Sequence, residues 1–173
     1  MRKLIVATLL LGSGAMLSAQ KTTKIPAVYK PVKSEMYRKG WIDFNKNGVK
    51  DVYEDPTAPL DARIEDLLQQ MTLEEKTCQM VTLYGYKRVL KDDLPTPEWK
   101  QKLWKDGIGA IDEHLNGFRQ WGLPPSDNEN VWPASRHAWA LNEVQRFFIE
   151  ETRLGIPVDF TNEGIRGVES YRA

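Results

Sequence analysis

The stretch Leu154-Gly155-Ile156-Pro157-Val158-Asp159-Phe160-Thr161-Asn162-Glu163-Gly164-Ile165-Arg166-Gly167 decides how this chain is read. A helix-like run from Ser135 to Arg153 leads into it. Ile156 to Phe160 then has the length and apolar content of a buried strand, and Glu163 follows in a Gly-flanked turn. A carboxylate delivered just past a strand end is how an α/β barrel presents an active-site group. The expected fold is therefore α/β: the opening portion of a (β/α)8 TIM-type barrel, incomplete in this chain because a barrel needs eight such units.

Working back along the chain, Ala138, Leu141, Val144, Phe148 and Thr152 mark one face of the helix. Residues 112–134 hold Gly117, Gly122, Pro124, Pro125 and Pro133 and read as a long irregular excursion, a kind of loop that is often functional. Gly107-Ile108-Gly109-Ala110-Ile111 fits a second buried strand. Residues 84–107 read as a loop with a short helix around Glu98 to Lys105. Thr72-Leu73-Glu74-Glu75 has the capping-box pattern, so a helix is expected from Leu73 to about Met80. Before it, Asp61 is a plausible N-cap, and Ile64, Leu67, Leu68 and Met71 follow at amphipathic helical spacing.

The N-terminus reads as a targeting segment. Arg2 and Lys3 precede the apolar run Leu4 to Leu11, and small residues follow through Ala19. The segment reads as a signal peptide over 1–19, too short for a membrane span, with cleavage expected after Ala19 or, as the fallback, after Ala15. No cysteine lies nearby to carry a lipid. Residues 20–59 form a leader, extended and polar over its first half.

Within the leader, Asp43, Asn45, Asn47, Gly48, Asp51 and Glu54 occupy positions 1, 3, 5, 6, 9 and 12 of a twelve-residue frame, the spacing of an EF-hand-type calcium loop. Calcium takes hard oxygen ligands. Alternate side chains of a curled loop supply them, Gly48 permits the sharp turn, and Glu54 can bind through both oxygens. Val49 at position 7 would give its backbone carbonyl. Lys50 stands where a hydrophobic residue usually anchors the loop. Two readings stay open: a structural Ca2+ held by Asp43, Asn45, Asn47, Val49, Asp51 and Glu54, or an Asn/Gly-rich turn that bonds to its own backbone.

Composition narrows the partners. Lys+Arg and Asp+Glu each number 24, and the basic residues are scattered, which argues against nucleic acid. The one cysteine, Cys78, excludes an intrachain disulfide and reads as a core residue in the Leu73–Met80 run. His114 and His137 are far apart, lack metal-ligand spacing, and read as structural or solvent-exposed. Glu163 with Arg166 suits bidentate hydrogen bonding to vicinal sugar hydroxyls, or else is a structural ion pair at the strand end. Six tryptophans are generous for this length, since sugars stack their C–H faces on flat rings. Core packing accounts for any one of Trp104, Trp121, Trp132 and Trp139, and Trp121 and Trp132, flanked by Gly and Pro, are the better site candidates.

Arg63-Ile64-Glu65-Asp66-Leu67-Leu68-Gln69-Gln70-Met71-Thr72-Leu73-Glu74-Glu75-Lys76-Thr77-Cys78-Gln79-Met80 resembles the opening signature of glycoside hydrolase family 3, a helix ending in Met-Thr-Leu-Glu-Glu-Lys-x-x-Gln-Met. The Gly107–Ile111 segment is similar to that family's Gly-x-Gly strand. Asn142-Glu143-Val144-Gln145, followed by Arg153-Leu154-Gly155-Ile156-Pro157, resembles the helix and strand before its substrate-binding acidic residue. The likeness covers residues 60–173, the truncated N-terminal part of the barrel domain, and leaves the leader outside.

The resemblance implies a β-glucosidase-like, exo-acting hydrolase that removes terminal nonreducing β-D-glucosyl or xylosyl residues by a retaining mechanism, with no cofactor needed for catalysis. It implies that Glu163, where the family usually has Asp, grips the −1 sugar, and that Arg166 stands where the family usually has His. It places the nucleophile and the acid/base residue in later segments, so there is no catalytic residue in this chain and the fragment alone is expected to be inactive. The expected partner is an oligosaccharide or β-glycoside in the periplasm or outside the cell, with no membrane contact after signal cleavage. The alternative is a non-catalytic, calcium-bearing carbohydrate-binding or structural module.

Overall fold

A computed structural model of the chain describes residues 31–84, 92–115, 130 and 134–161. The fold is mixed α/β. In chain order it has a 3-10 turn Ser34–Met36, β1 (Tyr37–Arg38), β2 (Trp41–Ile42), a 3-10 turn Val52–Glu54, α1 (Leu60–Gln70), α2 (Leu73–Gln79), β3 (Thr82–Tyr84), a π-helical turn Trp99–Leu103, β4 (Ala110–Asp112), α3 (Ala134–Glu151) and β5 (Asp159–Thr161). The signal peptide expected over 1–19, Trp121, Trp132, Glu163 and Arg166 lie outside the described residues.

β3, β4 and β5 form one parallel sheet in chain order, with Leu83 opposite Ile111 and Ile111 opposite Phe160. Parallel neighbours need a crossover, and α3 supplies the one between β4 and β5. The helix packs its apolar stripe on the sheet: Val144, Phe147 and Phe148 join Trp99, Trp104, Ile108, Ile111 and Val158 in one buried cluster, with Leu83 and Phe160 against it. Edge-to-face ring pairs, such as Trp99 with Phe147 at 5.9 Å and Trp104 with Phe148 at 5.9 Å, lock the cluster. The buried stripe is Ala140, Val144, Phe147, Phe148 and Thr152, whereas Ala138, placed on it by the sequence reading, is exposed.

Several elements differ from expectation for identifiable reasons. The strand expected over Gly107–Ile111 is Ala110–Asp112; Gly107 takes a left-handed turn ahead of it, and Gly109 enters the sheet by donating to Cys78 O at 3.0 Å and accepting from Asp159 N–H at 3.0 Å. Gly107 has φ +80°, and a Cβ on Gly109 would stand 2.2 Å from the Gln79 carbonyl oxygen. The strand expected over Ile156–Phe160 is Asp159–Thr161. The Gln145 amide holds the backbone just ahead of it, donating to Val158 O at 2.9 Å and accepting from Val158 N–H at 2.8 Å. β3 follows the second helix directly, in a stretch the sequence reading left without an element. The upper leader is a small hairpin, β1–β2, turned by Gly40 at φ +84°. α1 begins at Leu60 with Pro59 at the N-cap, so Asp61 lies in the first turn, near the positive end of the helix dipole.

The capping box holds: the Thr72 hydroxyl accepts from Glu75 N–H at 3.2 Å, and the Glu75 carboxylate accepts from Thr72 N–H at 2.9 Å. The buried side chain of α2 is this Glu75, while Leu73 is 76% exposed. Cys78 is half-buried, its thiol pushed up in pKa by burial and by nearby carboxylates, led by Asp106.

Candidate functional site

The acidic loop is built by backbone geometry first. Lys46 and Gly48 take left-handed conformations, φ +60° and +81°, which curl the chain around the Asp43 side chain. Asp43 Oδ1 accepts from Asn47 N–H at 3.1 Å and Oδ2 from Gly48 N–H at 2.9 Å. Glu54 reaches back from the 3-10 turn, accepting from Asn45 N–H at 3.2 Å and Asp51 N–H at 3.1 Å. Asn45 and Asn47 both donate side-chain N–H bonds to Asp51 Oδ2, at 2.6 and 2.7 Å. Val49 N–H donates to Asn47 Oδ1 at 2.7 Å.

The frame read from the sequence thus brings Asp43, Asn45, Asn47, Asp51 and Glu54 into one ring, with Asp43 3% and Glu54 2% exposed. The oxygens of the ring are engaged by N–H donors of the loop itself. Among the described residues, no group of three or more His, Cys, Asp or Glu side chains is gathered to hold a metal. For the ring to take a cation, the Asn45 and Asn47 amides must turn their oxygens inward, a swap of near-isosteric ends. Lys50 points away to an ion pair with Asp55 at 2.8 Å, which accounts for its tolerance at position 8.

The loop is docked on the end of α3. Lys46 Nζ donates to Thr152 O at 2.5 Å, and burial pushes its amine down to about 8. Tyr53 stacks on Phe44 at 6.3 Å and donates to Leu154 O at 3.4 Å. Gly155, at φ +60°, lets Phe44 O approach, since a Cβ there would meet that oxygen at 2.7 Å.

A second polar cluster was not foreseen. The Glu150 carboxylate is fully buried on α3 and accepts from Val32 N–H at 3.1 Å, Lys33 N–H at 3.1 Å and the Tyr37 hydroxyl at 3.2 Å, with Arg146 3.6 Å away. Lys33 Nζ donates to Glu150 O at 2.9 Å and pairs with Glu151 at 3.5 Å. The signal available in the sequence was a carboxylate three residues past Phe147, on the helix stripe that should be apolar.

At the C-terminal edge of the sheet, Thr161 Oγ1 donates to Asp112 Oδ1 at 2.8 Å. The chain leaves β4 through Glu113 and Leu115 with φ +54° and +52°, conformations that cost energy for side-chain-bearing residues and concentrate at functional sites. His114 between them is buried rather than solvent-exposed, stacks on Phe160 at 6.3 Å, and has Nε2 3.1 Å from Asp93 O. Trp104 is core, and Trp139 carries the Arg136 guanidinium 3.8 Å over its ring. No protein-family model matches the chain, and no curated protein matches it.

Proposed function

We propose that the chain is the N-terminal part of a family 3-like glycoside hydrolase barrel, exported, which holds the nonreducing β-D-glucosyl or xylosyl residue of its substrate through Glu163 and Arg166. The observation that supports this reading best is the parallel sheet β3-β4-β5 in chain order with α3 as a crossover packed on one face. A parallel sheet in chain order with a helical crossover is shared by parallel α/β folds, and it agrees with the opening of a (β/α)8 barrel, whose active sites form past the C-terminal strand ends. Thr161 closes β5, two residues before Glu163. Sequence resemblance supplies the family and the retaining mechanism. It places neither the nucleophile nor the acid/base carboxylate in residues 1–173. In this reading the chain binds sugar and does not cleave it, and the ring of Asp43, Asn45, Asn47, Asp51 and Glu54, with the Val49 carbonyl, takes a structural Ca2+ that stiffens the leader.

The test pairs a continuous assay on aryl β-glucoside and β-xyloside with direct titration of methyl β-D-glucopyranoside. No turnover, with millimolar-range binding weakened in Glu163→Gln, is the expected result. Turnover abolished by Glu163→Gln would make Glu163 a catalyst, and binding indifferent to Glu163 and Arg166 would overturn the site.

A further inference from the structure

The sheet has a second face. Leu83, Ile111 and Phe160 pack into the core under α3. Successive side chains of a strand point to opposite faces, so Thr82 and Tyr84, Ala110 and Asp112, and Asp159 and Thr161 stand on the other one. The register aligns them in two rows: Thr82, Ala110 and Asp159, then Tyr84, Asp112 and Thr161 at the C-terminal edge. A face buried against another apolar layer would carry Val, Ile or Leu here. This one carries two carboxylates, two threonines and an aromatic ring that is 52% exposed.

We propose that Tyr84 and Asp112 contact a neutral pyranoside at this edge, with Thr161 as the residue that positions the Asp112 carboxylate. The proposal rests on the glycosidase reading above and adds two contact residues to it. Thr161 fixes one Asp112 oxygen by its 2.8 Å hydrogen bond. A carboxylate has about four lone-pair sites, so acceptor capacity remains for sugar hydroxyls, and hydrogen bonds to a charged acceptor are the stronger kind. Neighbouring strands run about 4.8 Å apart, so the Tyr84 ring and the Asp112 carboxylate stand where one sugar can meet both. The ring offers a flat apolar surface to the C–H face, and the carboxylate takes hydroxyls at the sugar's rim. Ala110, below Asp112 on the same face, is the smallest of the six side chains.

Amide NMR titration of the 173-residue chain with methyl β-D-glucopyranoside, and separately with methyl β-D-xylopyranoside, tests this. Asp112→Asn keeps shape and an acceptor for Thr161, and is expected to weaken binding about tenfold. Tyr84→Ala is expected to do the same, with Tyr84→Phe within about twofold of wild type. Thr161→Val is expected to weaken binding about threefold at an unchanged melting temperature, with Thr161→Ser restoring it. Asp112→Asn and Tyr84→Ala act independently, so whichever keeps the wild-type spectrum decides. If Glu163→Gln weakens binding while both of these leave it unchanged, the glycosidase reading stands and this proposal fails. If both weaken it while Glu163→Gln does not, the edge binds sugar and the Glu163 subsite fails. Absence of sugar binding, or binding indifferent to all of them, overturns both.

Discussion

The leader strap, residues 31–59, and the sheet under α3 are held by opposite kinds of force. The sheet rests on an apolar cluster in which Trp99, Phe147 and Phe148 are essentially inaccessible to water. The strap contributes few buried apolar groups, chiefly Met36 and Tyr53, and is fastened by carboxylates instead: Glu150 on its first turn, and Asp43 and Glu54 inside its loop. Apolar packing is insensitive to ions and sets a rigid platform. A buried carboxylate is unforgiving of a lost partner and responsive to charge. The molecule thus joins a fixed sheet edge to a strap whose order depends on polar chemistry.

The largest effect expected is on the apolar side. Phe148→Ala should cost about 3–5 kcal/mol in chemical denaturation, because the ring is fully buried between Trp104 and Phe147. A cost under about 1 kcal/mol would mean that the cluster does not carry the fold. Next comes Glu150→Ala, expected at about 3 kcal/mol, since it leaves the Val32 and Lys33 N–H groups and Arg146 without the carboxylate they share. Limited proteolysis should then cut the strap first while the sheet stays protected. Simultaneous loss of both regions would erase the distinction between them.

Calcium sharpens the contrast. Addition of Ca2+ is expected to raise the melting temperature of wild type and to leave the Asp43→Ala, Glu54→Ala double variant unmoved, because the first and last oxygen ligands are gone. Equal calorimetric heats for both proteins would show that the ring is a self-bonded turn. The smallest effect is the Glu75–Arg153 pair. Against the upward push of burial, the Arg153 guanidinium and the Thr72 backbone hold the Glu75 carboxyl below its ordinary 4.5. Its stabilisation is therefore present above about pH 4.5 and lost as pH falls through the lower folded value. With Arg153 half-exposed, the loss should be about 1 kcal/mol, seen as acid sensitivity that Glu75→Gln lacks.

What was legible in the sequence was local. The Thr72–Glu75 capping box announces itself because both partners lie within one turn, and the frame of Asp43 to Glu54 is readable because its spacing is its geometry. α3 was found by its period, though the stripe lies one residue round from the reading, since Phe147 and Phe148 share the burial. β3 escaped because three residues give too little alternation to register; only its pairing with Ala110–Asp112 defines it. The strap's attachment was illegible for the same reason at longer range: Val32 and Glu150 are 118 positions apart. On the sheet edge, Asp112 and Thr161 are 49 apart and become neighbours only through the parallel register.

In the proposed reading, sugar is held at the C-terminal edge of the parallel sheet. The direct measurement is a residue-by-residue map of amide shifts at saturating methyl β-D-glucopyranoside. Perturbations concentrated at Tyr84, Asp112–Leu115, Thr161 and Glu163, with Thr82, Ala110 and the strap quiet, are the expected result. Perturbations centred on residues 43–54 would contradict it and assign carbohydrate binding to the strap.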